Sequence, residues 1–530
     1  MNRGMNLEDQ KLPDDIEELK RKVTSFGEKE EQYELEIKSL KEQIRLLRAQ
    51  LFGRKSERSL RDLDRLQLLL FEAEKALPPE ETEEDVKVPE HTRRQRGRKP
   101  LPPELPRVDK TYDLSDEEKL CACGCTKSRI GEEVAEQLDY VPARMQVIRK
   151  IRYKYACKRC EGVEGDEPAV SIAKAPEQLI PKSIASPGLI AHIVCAKFVD
   201  SLPFYRQESQ FARLGVEIPR SSMGNWTVKA AERCKPMMDL LRKEIMSGFL
   251  VNVDETPFRV LNGENGKDDS SSYMWVFRGG PPDAPALIFH YSPTRSGSVP
   301  KTFFKEFSGY VQTDGYAAYD FLDDLKGVRH AGCWAHARRK FKDVTKAASK
   351  IGSGKKKKKK SNADIALRYI TELYTIEGKA REQDLSPEAL LAVRQEKTAP
   401  LLDEFEKWLR DTADKTPPSG LLGKAISYTL KQWDRLVVFA GDGYVRPDNN
   451  LAENAIRPFV VGRKNWLFNA TPKGAEASGI MYSLIETAKA SRLDPYLYLR
   501  YLFENLPLAS STEDYKALLP RNLSNSQIAI

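Results

Sequence analysis

Leu250-Val-Asn-Val-Asp254 is an apolar run that ends on a carboxylate, and Tyr310-Val-Gln-Thr-Asp314 ends the same way. Both read as short strands, as do Met274 to Arg278 and Ala286 to Tyr291, with turn residues between them. Val299 to Phe307 reads as a helical turn. Residues 335–440 are largely helical, interrupted by the run Lys355–Lys360, which has the composition of a solvated loop. Strands followed by helices fit an α/β nuclease-type core with a helical insertion. Beyond the insertion, Glu453 stands in Asn449-Asn-Leu-Ala-Glu-Asn-Ala-Ile-Arg457, with Asn450 a candidate helix cap. Phosphodiester chemistry by two metal ions needs carboxylates that flank hard cations about 3.5–4 Å apart. Asp254, Asp314 and Glu453 would meet that need if two strand ends and a helix converge. Taken singly, each has an ordinary alternative: a strand-terminal Asp caps a turn, and a helix Glu sits in water.

The segment before this core is helical from Ser183 to about Ser247, with an apolar stripe through Leu189, Ile190, Ile193, Val194, Phe198 and Val199. A second helix from Phe204 ends at Gly215, and a third begins at Arg220 with Ser221 or Ser222 as cap. That is the outline of a helix-turn-helix, which ordinary helical bundles share. Farther upstream, Cys121, Cys123 and Cys125 precede Cys157-Lys-Arg-Cys160. Clustered cysteines in a chain without a signal-peptide pattern favour structural Zn²⁺ over disulfides. β-type residues such as Met145 to Tyr155 would supply the strands of a small zinc module. The first cluster reads Cys-Ala-Cys-Gly-Cys, so which of its thiols ligate stays open.

The amino-terminal stretch repeats in heptads. Ile16, Leu19, Val23, Phe26, Tyr33, Ile37, Leu40, Ile44, Leu47 and Leu51 step by threes and fours, with Glu30 the one polar position. This specifies a coiled coil and therefore a partner helix, a homodimer or higher homo-oligomer. Arg54 and Lys55 follow as a basic cluster; a charged, Pro-bearing linker then carries Arg96-Gly-Arg98, which can enter an A·T minor groove. The whole reads as a multidomain α/β protein. Its parts are a coiled-coil region (1–76), the linker (77–110), a zinc module (111–170), a helical segment (171–248), a core with its insertion (249–505) and a tail (506–530). No run approaches the roughly 18 apolar residues of a membrane span, so a cytoplasmic protein is expected. The net charge of +8 is modest for 530 residues, which leaves nucleic-acid contact to local basic clusters.

Seven ordered stretches carry a resemblance. They are Leu51-Phe-Gly-Arg-Lys-Ser-Glu-Arg58, Gly97-Arg-Lys-Pro-Leu-Pro102, Glu136-Gln-Leu-Asp-Tyr-Val-Pro142, Val253-Asp-Glu-Thr-Pro257, Gln312-Thr-Asp-Gly-Tyr316, Cys333-Trp-Ala-His-Ala-Arg-Arg-Lys-Phe341 and Asn449-Asn-Leu-Ala-Glu-Asn-Ala-Ile-Arg-Pro458. Over nearly its whole length the chain resembles the insertion-sequence-66 family of bacterial DDE transposases. The resemblance implies an RNase H-like mixed sheet whose triad is Asp254, Asp314 and Glu453, holding two Mg²⁺ ions, with Mn²⁺ as an acceptable substitute. It implies double-stranded DNA, both element ends and target, as substrate, in the bacterial cytoplasm on the nucleoid, with small accessory proteins as further partners. Arg457, Arg463 and Lys464, close after Glu453, would suit phosphate contact. Some DDE enzymes carry Lys or Arg two helical turns after the Glu; position 460 here is Val, so that role is not carried over. His330 and His336 are left outside the catalytic set. The rival readings are a non-catalytic zinc-containing DNA-binding regulator and an RNase H-like nuclease that cuts without joining.

Overall fold

The computed structural model describes residues 145–156, 170–262, 269–349 and 361–529, with single helical positions between Thr24 and Ile44. Of the heptad positions, Glu30, Tyr33, Ile37, Leu40 and Ile44 are described; all are helical and exposed in the single chain. The remaining heptad positions, Arg54, Lys55, Arg96, Arg98 and all five clustered cysteines lie outside the described residues. The chain divides into two compact units, Lys75–Ser171 and the remainder. In the first, the run Met145 to Tyr155 forms strand only at its end: Lys154–Ala156 (β1) joins Val170–Ile172 (β2) in a two-stranded sheet. Val147, Ile148 and Ile151 are exposed instead of packed in the longer strand the composition predicts.

The larger unit opens with three helices, Pro187–Phe198 (α1), Phe204–Arg213 (α2) and Arg220–Met246 (α3). Gly215, at φ +80°, turns the chain after α2. The expected serine cap of α3 is absent. Pro219 is the N-cap residue, and the Glu208 carboxylate accepts the Arg220 N–H at 3.1 Å, so the service comes from the neighbouring helix.

A mixed sheet follows. Leu250–Val260 (β3) lies at its centre, with Asp269–Gly279 (β4) and Ala286–Ser292 (β5) antiparallel on one side. Beyond the short helix Ser298–Phe303 (α4), Gly309–Gln312 (β6) and Val328–Ala331 (β7) run parallel on the other side. The order is β5-β4-β3-β6-β7, and Phe468–Asn469 (β8) pairs with the far end of β3.

The insertion comprises Trp334–Ser349 (α5), Asn362–Glu382 (α6), Pro387–Val393 (α7), Ala399–Ala413 (α8), Leu421–Lys431 (α9) and Trp433–Leu436 (α10). It has its own core, in which Trp334, Phe341, Tyr369, Phe405 and Trp433 pack together. Its two ends are stitched side by side. Gly332 N–H donates to Arg435 O at 2.8 Å, Trp334 N–H to Pro447 O at 2.9 Å, and the Trp334 indole to Leu436 O at 2.8 Å. The chain therefore returns to the sheet where it left it.

Asn450–Trp466 (α11), Pro472–Ala490 (α12) and Pro495–Asn505 (α13) complete the main core. Edge strand β5 is covered by α12: Phe289 N–H donates to Ser483 Oγ at 2.8 Å and Leu287 N–H to Thr487 Oγ1 at 3.0 Å. These hydroxyls occupy donors that an open edge would offer to another chain. The segment after 505 packs back on the core through buried Leu518, Leu519 and Ile528 rather than trailing free. Among the described residues, no helix is long and apolar enough to cross a membrane.

Candidate active site

Side chains two apart on a strand share a face, so Asn252 lies beside Asp254 on β3, while Gln312 closes β6 and Asp314 follows two residues past its end. Parallel pairing sets Asn252 opposite Gln312. Asn252 Nδ2 donates to Gln312 Oε1 at 3.0 Å and to Asn449 Oδ1 at 3.1 Å. Asn449 Nδ2 donates to Val253 O at 2.7 Å, while Gln312 Nε2 reaches Gly332 O at 3.1 Å and Arg446 O at 2.7 Å. All three amides are at most 1% exposed. They tie β3, β6, the end of β7 and the loop leading to α11 into one buried layer. Glu453 follows Asn449 by four positions, with its N–H on Asn449 O at 3.2 Å. The amide layer thus fixes the two strands and the helix on which the three carboxylates stand.

Asp254 lies within reach of the neighbouring carboxylates. Burial, then the negative charges of Glu255, Glu453 and Asp314, hold the Asp254 carboxyl well above the usual carboxylate range. Asp254 Oδ1 accepts the Glu255 N–H at 2.9 Å, and Asp314 Oδ1 accepts the Tyr316 N–H at 3.0 Å. Beside them Glu255 is anchored by the Tyr319 hydroxyl and by Arg295 Nε at 2.9 Å. The Arg295 guanidinium in turn lies 3.6 Å from the centre of the Tyr316 ring. The insertion also leans on this loop: a Cβ at Gly315 would come within 2.5 Å of the Tyr428 hydroxyl on α9.

Two side chains left out by sequence reasoning join the site. His336 Nδ1 lies 3.7 Å from Glu453 Oε1, and Arg339 Nη2 lies 3.8 Å from Glu453 Oε2. Cys333 Sγ, a His336 ring nitrogen and a Glu453 oxygen fall within 4.8 Å of one another. Burial pushes the His336 pKa down, against the opposing pull of Glu453. The signal in the sequence was the Cys333-x-x-His336 spacing: Cys333 stands just before α5 and its carbonyl accepts the His336 N–H at 3.2 Å, which keeps the two residues together at the helix start. His330 has a separate role. It bonds Thr313 Oγ1 at 2.8 Å and Asp323 at 2.9 Å, and burial followed by the Arg435 charge lowers its pKa to about 4.

The expected cap Asn450 does not serve. Asn449 is the N-cap residue without a side-chain cap bond, and Asp448 Oδ1 accepts the Asn450 N–H at 3.2 Å. Of the basic residues after Glu453, Arg463 is engaged within the fold: Nη1 donates to Thr256 Oγ1 at 2.8 Å and to Pro257 O. Arg457 is half-buried and Lys464 exposed.

Among the described residues the possible ligand atoms that meet within 4.8 Å belong to Cys333, His336 and Glu453, so Glu453 is the one carboxylate of the three that takes part in such a group. The site offers carboxylate oxygens, and buried Glu453 Oε1 has no hydrogen-bond partner, an arrangement that added positive charge would relieve. The mixed sheet thus carries Asp254 within β3 and Asp314 two residues past the end of β6, with Glu453 in the first turn of α11 beside them.

Comparison with known proteins agrees with the resemblance in the sequence. Residues 182–477 match the model described as "Transposase IS66 family". Residues 39–109 match "Transposase C of IS166 homeodomain", 118–161 "zinc-finger binding domain of transposase IS66" and 483–520 "IS66 C-terminal element". The chain belongs to the IS66 family of transposases. It is 33% identical to the uncharacterized protein y4jD of Sinorhizobium fredii (strain NBRC 101917 / NGR234) over 99% of both chains. It is 30% identical to the uncharacterized protein y4hP of the same strain over 87% of this chain and 85% of that one.

Proposed function

We propose that the chain is a DDE transposase that binds the inverted-repeat ends of its own element, cleaves a strand there and joins the freed 3′ end to target DNA. The observation that carries this reading is that Asp314, past the end of β6, and Glu453, in the first turn of α11, both lie near enough for their charges to reach the buried Asp254 carboxyl on β3. The order β5-β4-β3-β6-β7 supports an RNase H-like core. Asp254, Asp314 and Glu453 would hold two Mg²⁺ ions, and bound cations there would supply an activated nucleophile and charge stabilisation of the leaving oxygen. Asn252, Gln312 and Asn449 keep the ligand-bearing elements in register. Arg339, Arg457 and Lys464 face the approaching phosphates, and Arg463 braces α11 against β3. The test is footprinting on the DNA that flanks the open reading frame, followed by cleavage and strand-transfer assays on that DNA with Mg²⁺. Binding without turnover would favour the non-catalytic regulator, and cutting without joining the simple nuclease.

Two further parts of the reading make their own predictions. The heptads are read as a homo-oligomeric coiled coil that pairs two DNA ends. Replacing Leu40 and Leu47 by Glu should convert the assembly to monomers, since each buried leucine contributes about 1.5–3 kcal/mol. Light scattering that finds an unchanged assembly would remove the coiled coil. The zinc-finger match supports structural Zn²⁺ on thiols drawn from Cys121, Cys123, Cys125, Cys157 and Cys160. Elemental analysis should find about one zinc per chain, lost when Cys157 and Cys160 both become Ser, because thiolate ligation supplies much of such a module's folding energy. Metal-free wild-type protein would refute it.

A further inference from the structure

A cavity of about 340 Å³ lies between the sheet and the insertion, apart from the carboxylates. Phe249, Asn252 and Arg278 line it from the sheet, and Tyr444 and Arg446 from the loop that leads to α11. Arg278 stands on β4 directly opposite Asn252. The guanidinium is half-buried, and the charge acting on it is another cation: burial, then Arg446, lowers its pKa to about 10. Other groups around the cavity are matched within the fold. Glu377 is held by Arg394 at 2.8 and 2.7 Å, Arg446 acts on Asp448, and Arg381 and Asp384 contribute one charge of each sign. Two arginines line one space, and among the described residues no carboxylate pairs with Arg278, which is unfavourable for the protein alone. An anion between them reverses that balance. The guanidinium fork matches phosphate oxygens in geometry as well as charge. At the mouth, Phe249 and Tyr444 meet edge to face with ring centres 5.0 Å apart, and Tyr444 is 50% exposed. Such an aromatic edge is a surface on which a nucleobase stacks.

We propose that this cavity is a nucleotide-phosphate site, in which Arg278 and Arg446 grip the phosphate and the Phe249–Tyr444 edge carries the base. Asn252 precedes Asp254 by two strand residues, about 7 Å, so the site adjoins the carboxylates without sharing a ligand with them. The phosphate comes either from a DNA strand or from a free nucleotide. The inference does not rest on the carboxylate reading, because binding is measured without added divalent cation and without turnover.

The probes are thymidine 5′-monophosphate and thymidine, applied to the full-length protein at constant ionic strength and followed by calorimetry and thermal unfolding. The monophosphate should bind and raise the melting temperature, and thymidine should do neither. Arg278→Gln should weaken monophosphate binding about tenfold or more, while the unliganded variant melts no lower than wild type because a repelled charge has been removed. Arg278→Lys should keep part of the affinity. A 5′-phosphorylated single-stranded hexanucleotide separates the sources. Arg278-dependent competition by it assigns the phosphate to a strand, and monophosphate binding without such competition assigns it to a free nucleotide. Failure of wild type to bind the monophosphate at millimolar concentration would overturn the proposal, whatever the variants do. Equal affinity in folded Arg278→Gln would overturn it too.

Discussion

Asp254→Asn, Asp314→Asn and Glu453→Gln should each lower Mg²⁺-dependent cleavage and joining by about 10³-fold or more, while binding to end DNA survives. Each amide keeps the side chain's shape and removes a negative charge that helps hold cations in register. Electrostatic positioning of this kind is usually the largest single catalytic contribution, which sets the scale of the loss. The site adds a second readout. Asp254 lies among Glu255, Glu453 and Asp314, so Asp254→Asn removes repulsion as well as a ligand. Its unliganded form should melt no lower than wild type, and Mg²⁺ or Mn²⁺ should raise the melting temperature of wild type more than that of the variant. If the carboxylates served only as caps or surface ion pairs, the same changes would cost about 0.5–2 kcal/mol and spare activity. Cleavage of labelled end DNA, with binding and melting measured on the same preparations, separates the two. Full activity in a folded variant strikes that residue from the triad, and full activity in all three ends the assignment.

Asp254 and Asp314 each close an apolar run in the sequence, and Asp314 does lie just past the end of β6, but β3 runs on beyond Asp254 to Val260, where β8 pairs with it, so Asp254 is not the strand end its sequence announces. Glu453 was named as a helix-borne candidate, but its return to the sheet was not legible, since it depends on contacts that close the insertion across a long stretch of chain. Gln312 to Arg446 O and Trp334 to Pro447 O are such contacts, and no local pattern encodes them. Asn252 and Asn449 were hidden for a related reason: a buried amide is recognisable only through its partners. Strand β7, Val-Arg-His-Ala, is too short and too polar to announce itself; it forms because β6 supplies a parallel neighbour. The two misplaced helix caps share one cause. Local side chains were expected to satisfy the first N–H groups, but Glu208 and Asp448 do so from outside the helices. The amphipathic heptads and paired cysteines are local signals, and the family comparisons cover the cysteine segment and the last heptad positions, from Leu40 on.

The insertion depends on one side chain to an unusual degree, and Arg394→Ala should cost about 3–5 kcal/mol of stability. Arg394 is 1% exposed and lies in a single π-helical turn, Arg394–Thr398, between α7 and α8. Its Nε and Nη2 grip both oxygens of buried Glu377 at 2.8 and 2.7 Å. Its Nη1 donates to Phe439 O at 2.8 Å, Val445 O at 2.9 Å and Asp442 O. Removing the guanidinium would leave a buried carboxylate without its partner and three carbonyls without their donor. The carbonyls belong to the segment that runs through Arg446 and Asn449 into α11. Disorder there would loosen the Gln312 and Asn252 bonds and displace Glu453, so activity should fall along with stability. Chemical denaturation measures the first effect and strand cleavage the second. Arg394→Met combined with Glu377→Leu separates the ion pair from the carbonyl anchor. If the orphaned carboxylate dominates, the double variant regains much of the lost stability. If it does so without regaining cleavage, the carbonyl bonds are what hold α11 in place. A loss below about 1 kcal/mol for Arg394→Ala, a value typical of an exposed pair, would show that the insertion does not depend on this anchor.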